Sequence, residues 1–563
     1  MIIGLAGSGP AAESIRAACA DIDAEVQETE PDDFDAVDLG FVVAPAGSDA
    51  FAVADESADR WLAVEIGGIG GHAVSDLDAA VSVFDAESAR YRDLRGRVAS
   101  TTESEGRPSG DRAAVRLAGA VAGRRGIALL SGADVAGTVV EVPGAERSVL
   151  PLPLPEAGSR DRTLSREFRS VSLDDAISRA ELAVDDRVGV VMQVGERESF
   201  PLPYYVAQTA DTTAYADTRA AELAGGAAVG WDEAYMKALG EALERYSAGV
   251  YRASEFAVAP ASNRPKAVPP SRFVRPDSYR APDPRESIQW VEGEHLETGE
   301  TVSLPAEFVH YPPPNERHKP AITTGLGLGN SGAEAILSGL YEIVERDATM
   351  LAWYSTFDPL GLDVQDDTFQ TLRRRARSEN LNVTALLVTQ DIDVPVVAVA
   401  VHRDDEWPKF AMGSGANLDT NAAARSALSE ALQNWTELRG MGPEQSAQQG
   451  GAIGTYADFP KSAQEFVTPD ATIPAESVGP DVDGGSEALE TVVERVADAG
   501  VDAYAARITP RDVEALGFEA VRVLAPEAQP LFMGESFFSD RAESVPRELG
   551  FEPQLDREFH PFP

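Results

Sequence analysis

The sequence predicts an α/β and α+β protein, with a small Rossmann-like N-terminal domain followed by a large domain of mixed sheets and helices. Three observations lead there. The first 90 residues alternate short apolar runs with helical stretches, as strands and helices taken in turn would. A polar, turn-rich passage at 101–111 then interrupts the chain. Beyond it, three helical segments carry nearly the same pattern, at a spacing too wide and irregular for a solenoid. At 563 residues the chain is long enough for two or three domains, and 43% hydrophobic residues provide for their cores.

Taken in order, residues 1–6 read as a short apolar strand and 10–22 as a helix with Pro10 in its first turn. Further strands are expected at 38–44 and 61–66 and a helix at 76–84, giving a mainly parallel sheet. The turn Gly7-Ser8-Gly9-Pro10-Ala11-Ala12, with Glu28 ~20 residues on, has the form of a dinucleotide-binding turn, although Pro10 also starts a helix unaided. Cys19, the single cysteine, lies in an Ala-rich helical stretch and reads as a buried apolar side chain. The domains expected are 1–100, a linker and accessory segment at 101–174 that includes helix and strand over 113–142, and 175–563.

The charge narrows the function classes. Ninety-three acidic residues against 48 basic ones give −45, and Lys237, Lys266, Lys319, Lys409 and Lys461 are the only lysines. Acids spread along the whole chain suit a protein kept soluble in concentrated salt, so a halophilic archaeal source is expected. Phosphate-rich nucleic acid would be repelled. No apolar run approaches the roughly 18–20 residues that span a bilayer, and residues 1–6 lack a signal-peptide pattern, so the expectation is a cytoplasmic protein. The six scattered histidines argue against a His-based metal site. The run Arg373-Arg374-Arg375-Ala376-Arg377 reads as a solvated helix face, or else a contact for an acidic partner.

The three related helical segments cover 238–245, 339–346 and 427–434, in the form small–Leu–x–Glu–x–x–Glu/Gln–Arg/Asn. At 100° per residue, Tyr235, Leu239, Ala242, Leu243 and Tyr246 form the apolar back of the first, with Glu241 and Glu244 opposite. Ile336, Leu337, Leu340, Ile343 and Val344 back the second, with Glu334, Glu342 and Glu345 in front. A Glu-x-x-Glu pair in so acidic a chain is also what a solvated face carries. Its repetition, each time followed by arginine, points instead to helices that face one site. Bare carboxylates gathered there would repel, and magnesium shared with substrate phosphates would relieve them, with Arg245 and Arg346 taking remaining phosphate charge.

The segment from Gly325 through Asn330 and Glu334 to Glu342, Glu345 and Arg346 resembles the signature of the YcaO-domain family, and 241–247, 412–433 and 521–531 resemble its other conserved segments. The likeness covers about 175–563. It implies ATP and Mg2+ as cofactors, with Glu241, Glu244, Glu342 and Glu345 holding metal. Asn330 and Glu334 would contact the nucleoside, and Arg346 and Arg425 the phosphates. It also implies ATP-dependent phosphorylation of a peptide backbone amide, followed by attack of Cys, Ser or Thr to form an azoline, or of delivered sulfide to form a thioamide.

Two departures bear on that reading. Gly225-Gly226-Ala227-Ala228 stands where family members often carry a Gly-Gly-Lys-Gly stretch, so a nucleotide contact is lost or an arginine replaces it. The chain ends Phe559-His560-Pro561-Phe562-Pro563, a shorter form of the alternating prolines of ring-forming members, and Pro561 and Pro563 are expected to reach the active site. The N-terminal region resembles the degenerate ubiquitin-activating-type domain found beside azoline-forming YcaO domains, which helps bind a precursor's leader. After Leu150-Pro151-Leu152-Pro153 no zinc-binding cysteine remains. The expectation is a homodimeric cyclodehydratase acting on a peptide or protein substrate, with a leader-binding or sulfur-transfer partner possible. The alternatives are a thioamide-forming enzyme or a non-catalytic peptide scaffold.

Overall fold

The computed structural model describes residues 1–104, 106–155, 160–264, 266–448, 452–480 and 484–562. Pro563 and the stretch following Pro155 therefore lie outside the described residues.

The N-terminal layer is a seven-stranded sheet. Ile2–Ala6 lies between Glu25–Glu28 and Leu39–Pro45, and Trp61–Ile66 follows, all four parallel. The sheet does not stay parallel. Ala79–Phe84 pairs antiparallel with Trp61–Ile66, and Thr138–Val142 and Glu146–Ser148 continue antiparallel from there. The helix expected over 76–84 is thus a strand. All six residues of its Ala-Ala-Val-Ser-Val-Phe run are buried, and a strand covered on both faces loses the apolar–polar alternation that would have marked it. The accessory segment contributes the two last strands and the helix Arg112–Leu130, which packs on Pro10–Cys19. Cys19 is buried at 1% exposure, as expected.

The rest of the chain is α+β. A three-stranded antiparallel sheet (Val191–Glu198, Tyr204–Thr209, Leu223–Ala227) carries the helix Trp231–Gly249. A six-stranded sheet including Leu326–Gly329 and Glu519–Leu524 carries Gly332–Trp353, and a five-stranded sheet including Val396–His402 and Phe410–Ala416 carries Thr420–Ser446. Those are the three related helices, called here the first, second and third framework helices. Each lies against its strand at a glycine. A Cβ on Gly226 would come 2.1 Å from Ala238 N, one on Gly327 2.2 Å from Ala335 O, and one on Gly413 2.4 Å from Ala427 O. Only a missing side chain lets helix and strand backbones approach so closely. The predicted apolar backs are the buried ones: Leu239, Ala242, Leu243 and Tyr246 on the first helix, and Ile336, Leu340 and Val344 on the second.

A buried arginine ties the N-terminal layer to the first framework helix. Arg97 is fully buried, pairs with Asp512, and donates to Tyr246 Oη at 3.3 Å, while that hydroxyl donates to Asp512 Oδ2 at 2.5 Å. Among the described residues no helix is long and apolar enough to cross a membrane.

Candidate active site

The three strand–helix units present their carboxylates in the same way. Backbone N–H groups of Gly225, Gly325 and Ser414 donate to Glu241 Oε2 (3.3 Å), Glu342 Oε2 (2.9 Å) and Glu430 Oε2 (2.7 Å), respectively. Each acceptor is the first Glu of its helix motif. The glycine contact brings helix and strand close, and a backbone N–H near that glycine, at Gly225, Gly325 or Ser414, anchors the carboxylate.

These acids are not a solvated helix face. Glu244 is 18% exposed and Glu345 12%. Burial pushes the Glu244 carboxyl up to about 8, and the charges of Glu342 and Glu241 push the same way against Arg245. Burial likewise raises Glu345 to about 7, with Glu430 and Glu342 adding to it against Arg346. Glu241 and Glu430 are raised for the same first reason. The protein answers part of this charge. Arg245 lies 3.1 Å from Glu241, Arg346 lies 3.4 Å from Glu345 and 3.7 Å from Glu430, and the Ser414 hydroxyl donates to Glu345 Oε1 at 2.7 Å. Arg522, 2% exposed and lowered to about 10 by burial, sends its charge toward Glu342 and Glu244. Negative charge still exceeds what these cations offset.

A cleft of about 850 Å3 opens between the helices, within the range of small-molecule sites. Lys237, Glu241, Glu244, Asn330, Glu334 and Arg425 line it. Asn330 is fixed by its own surroundings. Its amide donates to Glu334 Oε2 at 3.1 Å, and its Oδ1 accepts from Arg179 at 2.6 Å, a guanidinium that also lies over the Phe518 ring at 4.9 Å. Arg425 pairs with Asp366 at 2.7 Å and Asp419 at 3.6 Å. A neighbouring cavity of about 550 Å3 shares Glu241 and adds Tyr204, Gln433 and Glu437; Tyr204 Oη donates to Glu437 at 2.8 Å.

The residues expected from sequence fall into two places. Glu241, Glu244, Asn330, Glu334 and Arg425 line the cleft, while Glu342, Glu345 and Arg346 adjoin it through the charge network just described. Pro561 lies apart, in a buried tail beyond the second helix. His560 Nε2 is 2.8 Å from the Phe532 carbonyl, Tyr456 Oη donates to the Phe559 carbonyl, and Phe562 is 1% exposed. Burial, with the Arg346 charge adding to it, lowers His560 to about 4, and the tail does not line the cleft. Pro563 lies outside the described residues. Sequence reading missed Glu430 as a site residue although it occupies the Glu position of the third repeat; the repeat itself was the signal. It also missed Lys237, Arg522 and Glu437, which no local pattern marks. In the strand where a lysine is absent, the Ala227 carbonyl accepts from Lys237 Nζ at 3.3 Å, and just beyond it the Val229 carbonyl accepts from Arg375 at 2.9 Å.

Among the described residues, no three His, Cys, Asp or Glu side chains converge as a ready-made metal cage. The donor set nevertheless fits magnesium, which takes one or two carboxylates and completes its shell with phosphate oxygens and water. Excess carboxylate charge held near neutrality by burial is what such a cation relieves.

Fold and site together define a cleft of nucleotide size beside partly buried carboxylates drawn from three strand–helix units. Residues 225–529, more than half of the chain, match the family described as YcaO cyclodehydratase, ATP- and Mg2+-binding, and the chain belongs to that family. It is 30% identical over 213 residues to an uncharacterized protein of Methanothermobacter thermautotrophicus, covering 36% of this chain and 54% of the relative. It is 29% identical over 165 residues to an uncharacterized protein in the tfuA 3′ region of Rhizobium leguminosarum bv. trifolii, covering 26% and 39%. The chain thus spans about half the length or less of these curated relatives. Among solved structures, a heterocyclase in complex with substrate and cofactor matches all of this chain and 85% of its own at TM-score 0.75 and 19% identity. The heterocyclase TruD matches at TM-score 0.66 and 16% identity, covering 98% and 82%. YcaO from Methanopyrus kandleri bound with AMPPCP and Mg2+ matches at TM-score 0.53 and 24% identity, covering 68% and 98%. These likenesses share the fold.

Proposed function

We propose that the protein uses Mg-ATP to activate backbone amides of a peptide and close Cys, Ser or Thr side chains onto them as azolines. The observation that carries this reading is the triple strand–helix arrangement, which gathers Glu241, Glu342 and Glu430 on backbone N–H anchors beside a nucleotide-sized cleft. The family match and the heterocyclase-like fold over the whole chain support it.

In this reading Asn330 and Glu334 hold the nucleoside, their geometry preset by Arg179. Glu241, Glu244, Glu342 and Glu345 hold magnesium, which when bound neutralises phosphate charge as the γ-phosphoryl group moves. Arg346 and Arg425 offset phosphate charge that remains. The amide oxygen takes the phosphoryl group and ADP leaves. The side-chain sulfur or oxygen then adds to the amide carbon and phosphate departs with the former amide oxygen. The amide N–H and side-chain protons are lost, leaving a C=N bond in the ring. Pro561 and Pro563 are proposed to close the site from the tail.

The proposed enzyme is a cytoplasmic homodimer adapted to salt and acts on a peptide or protein bound with the help of its N-terminal layer. The charge of −45, spread along the chain and nearly lysine-free, supports the salt adaptation. Incubation with Mg-ATP and peptides containing internal Cys, Ser and Thr tests the chemistry by mass spectrometry. Loss of one water mass per ring, with ADP and phosphate released, is expected. Exchange of oxygen for sulfur when sulfide is supplied would instead establish thioamide formation, and unchanged peptides with bound ATP would establish a scaffold.

A further inference from the structure

Two cationic side chains line the cleft, and they are held differently. Arg425 is paired with Asp366 and Asp419. Lys237 forms no ion pair among the described residues, and its one hydrogen bond is the 3.3 Å contact with the Ala227 carbonyl. An ammonium has three donors, so two remain for the cleft. The side chain stands exposed to the cleft space, while the surrounding walls strip part of its hydration and lower its pKa; Glu233 and Glu430 pull the other way from beyond pairing distance. One helical turn separates Lys237 from Glu241, which places both on the same face of the first framework helix. Asn330 and Glu334 of the second unit and Arg425 of the third stand on the remaining walls.

We propose that Lys237 binds phosphate oxygens of the nucleotide. A cation left without a carboxylate partner, in a cleft crowded with carboxylates, is matched by an anionic ligand brought in with its own cations. A lysine needed only to hold the strand would satisfy its donors on protein groups; this one spends a single long contact there. The proposal rests on the reading of the cleft as an ATP site.

The test compares wild-type protein with Lys237→Met and Lys237→Arg, measuring Mg-ATP affinity by calorimetry and the ligand-free unfolding midpoint, all in high-salt buffer. Methionine keeps the aliphatic stem and removes the charge. The expected result is an affinity for Mg-ATP weakened about tenfold or more in Lys237→Met, as loss of a charged hydrogen bond implies, with an unchanged midpoint and partial recovery in Lys237→Arg. Unchanged affinity in Lys237→Met overturns the lysine's role and leaves the ATP reading standing. Weakened affinity accompanied by a lower midpoint also overturns it, in favour of a structural role. A wild-type protein that fails to bind Mg-ATP overturns the ATP reading, and the lysine's role with it.

Discussion

The backbone N–H of Ser414 donates to Glu430 Oε2 at 2.7 Å, and the hydroxyl of the same residue donates to Glu345 Oε1 at 2.7 Å. One residue of the third unit therefore orients a carboxylate from each of two framework helices. The backbone bond survives any side-chain change other than proline, whereas the hydroxyl bond does not. Ser414→Ala should leave Glu430 anchored and free Glu345. A hydrogen bond to a charged group contributes enough to weaken Mg-ATP binding by about tenfold, read by calorimetry.

Binding should also depend on pH. Burial holds the Glu345 carboxyl at about 7 and Glu244 at about 8, above the ordinary value of 4.5. The folded protein therefore keeps protons that the unfolded chain releases from about pH 4.5 upward. Their contribution to stability is complete below that pH and is lost as pH rises through 7 to 8. Magnesium needs the carboxylates charged, so Mg-ATP binding should release protons and tighten by about tenfold or more from pH 6 to 8.5. Titrations in buffers of different ionisation enthalpy would count the protons; none released would contradict the assignment.

Arg97 supplies a stability prediction. It is fully buried against Asp512 and the Tyr246 hydroxyl, so Arg97→Met strands a buried carboxylate at the joint between N-terminal layer and first framework helix. Guanidinium unfolding should show a loss of about 3–5 kcal/mol. A loss below about 1 kcal/mol would mean that the pair is easily replaced by apolar contact.

The tail can be tested with its polar anchors kept. Phe559 and His560 hold it through Tyr456 and the Phe532 carbonyl, and a deletion of 561–563 spares both. The deletion removes the buried Phe562, so the unfolding midpoint is measured beside turnover. Turnover should fall at least about tenfold while the affinity for Mg-ATP stays within about twofold. Wild-type turnover after the deletion would remove the tail's proposed role.

How much of this was legible in sequence depended on how local the signal was. The apolar backs of two framework helices and their Glu pairs follow from helical periodicity; the backs are buried, and Glu241, Glu244 and Glu342 lie near enough for their charges to act on one another. The glycines before each helix were visible as motifs, but their reason, a strand passing within Cβ distance of a helix backbone, is a tertiary fact. The strand Ala79–Phe84 was read as helix because burial on both faces erased its alternation. The pairing of Thr138–Val142 with Ala79–Phe84 joins residues more than fifty apart, beyond any local pattern. Lys237 was invisible for a related reason: only the approach of three separate units shows that it faces a shared cleft.

The central claim is that carboxylates from the framework helices form one Mg–nucleotide site. Calorimetric titration of Mg-ATP into the wild-type protein and into Glu342→Gln/Glu345→Gln, in high-salt buffer with and without magnesium, tests it most directly. The account predicts magnesium-dependent binding to the wild type that the double variant loses. A folded wild type that binds no Mg-ATP, or a double variant that binds it equally well, would contradict it.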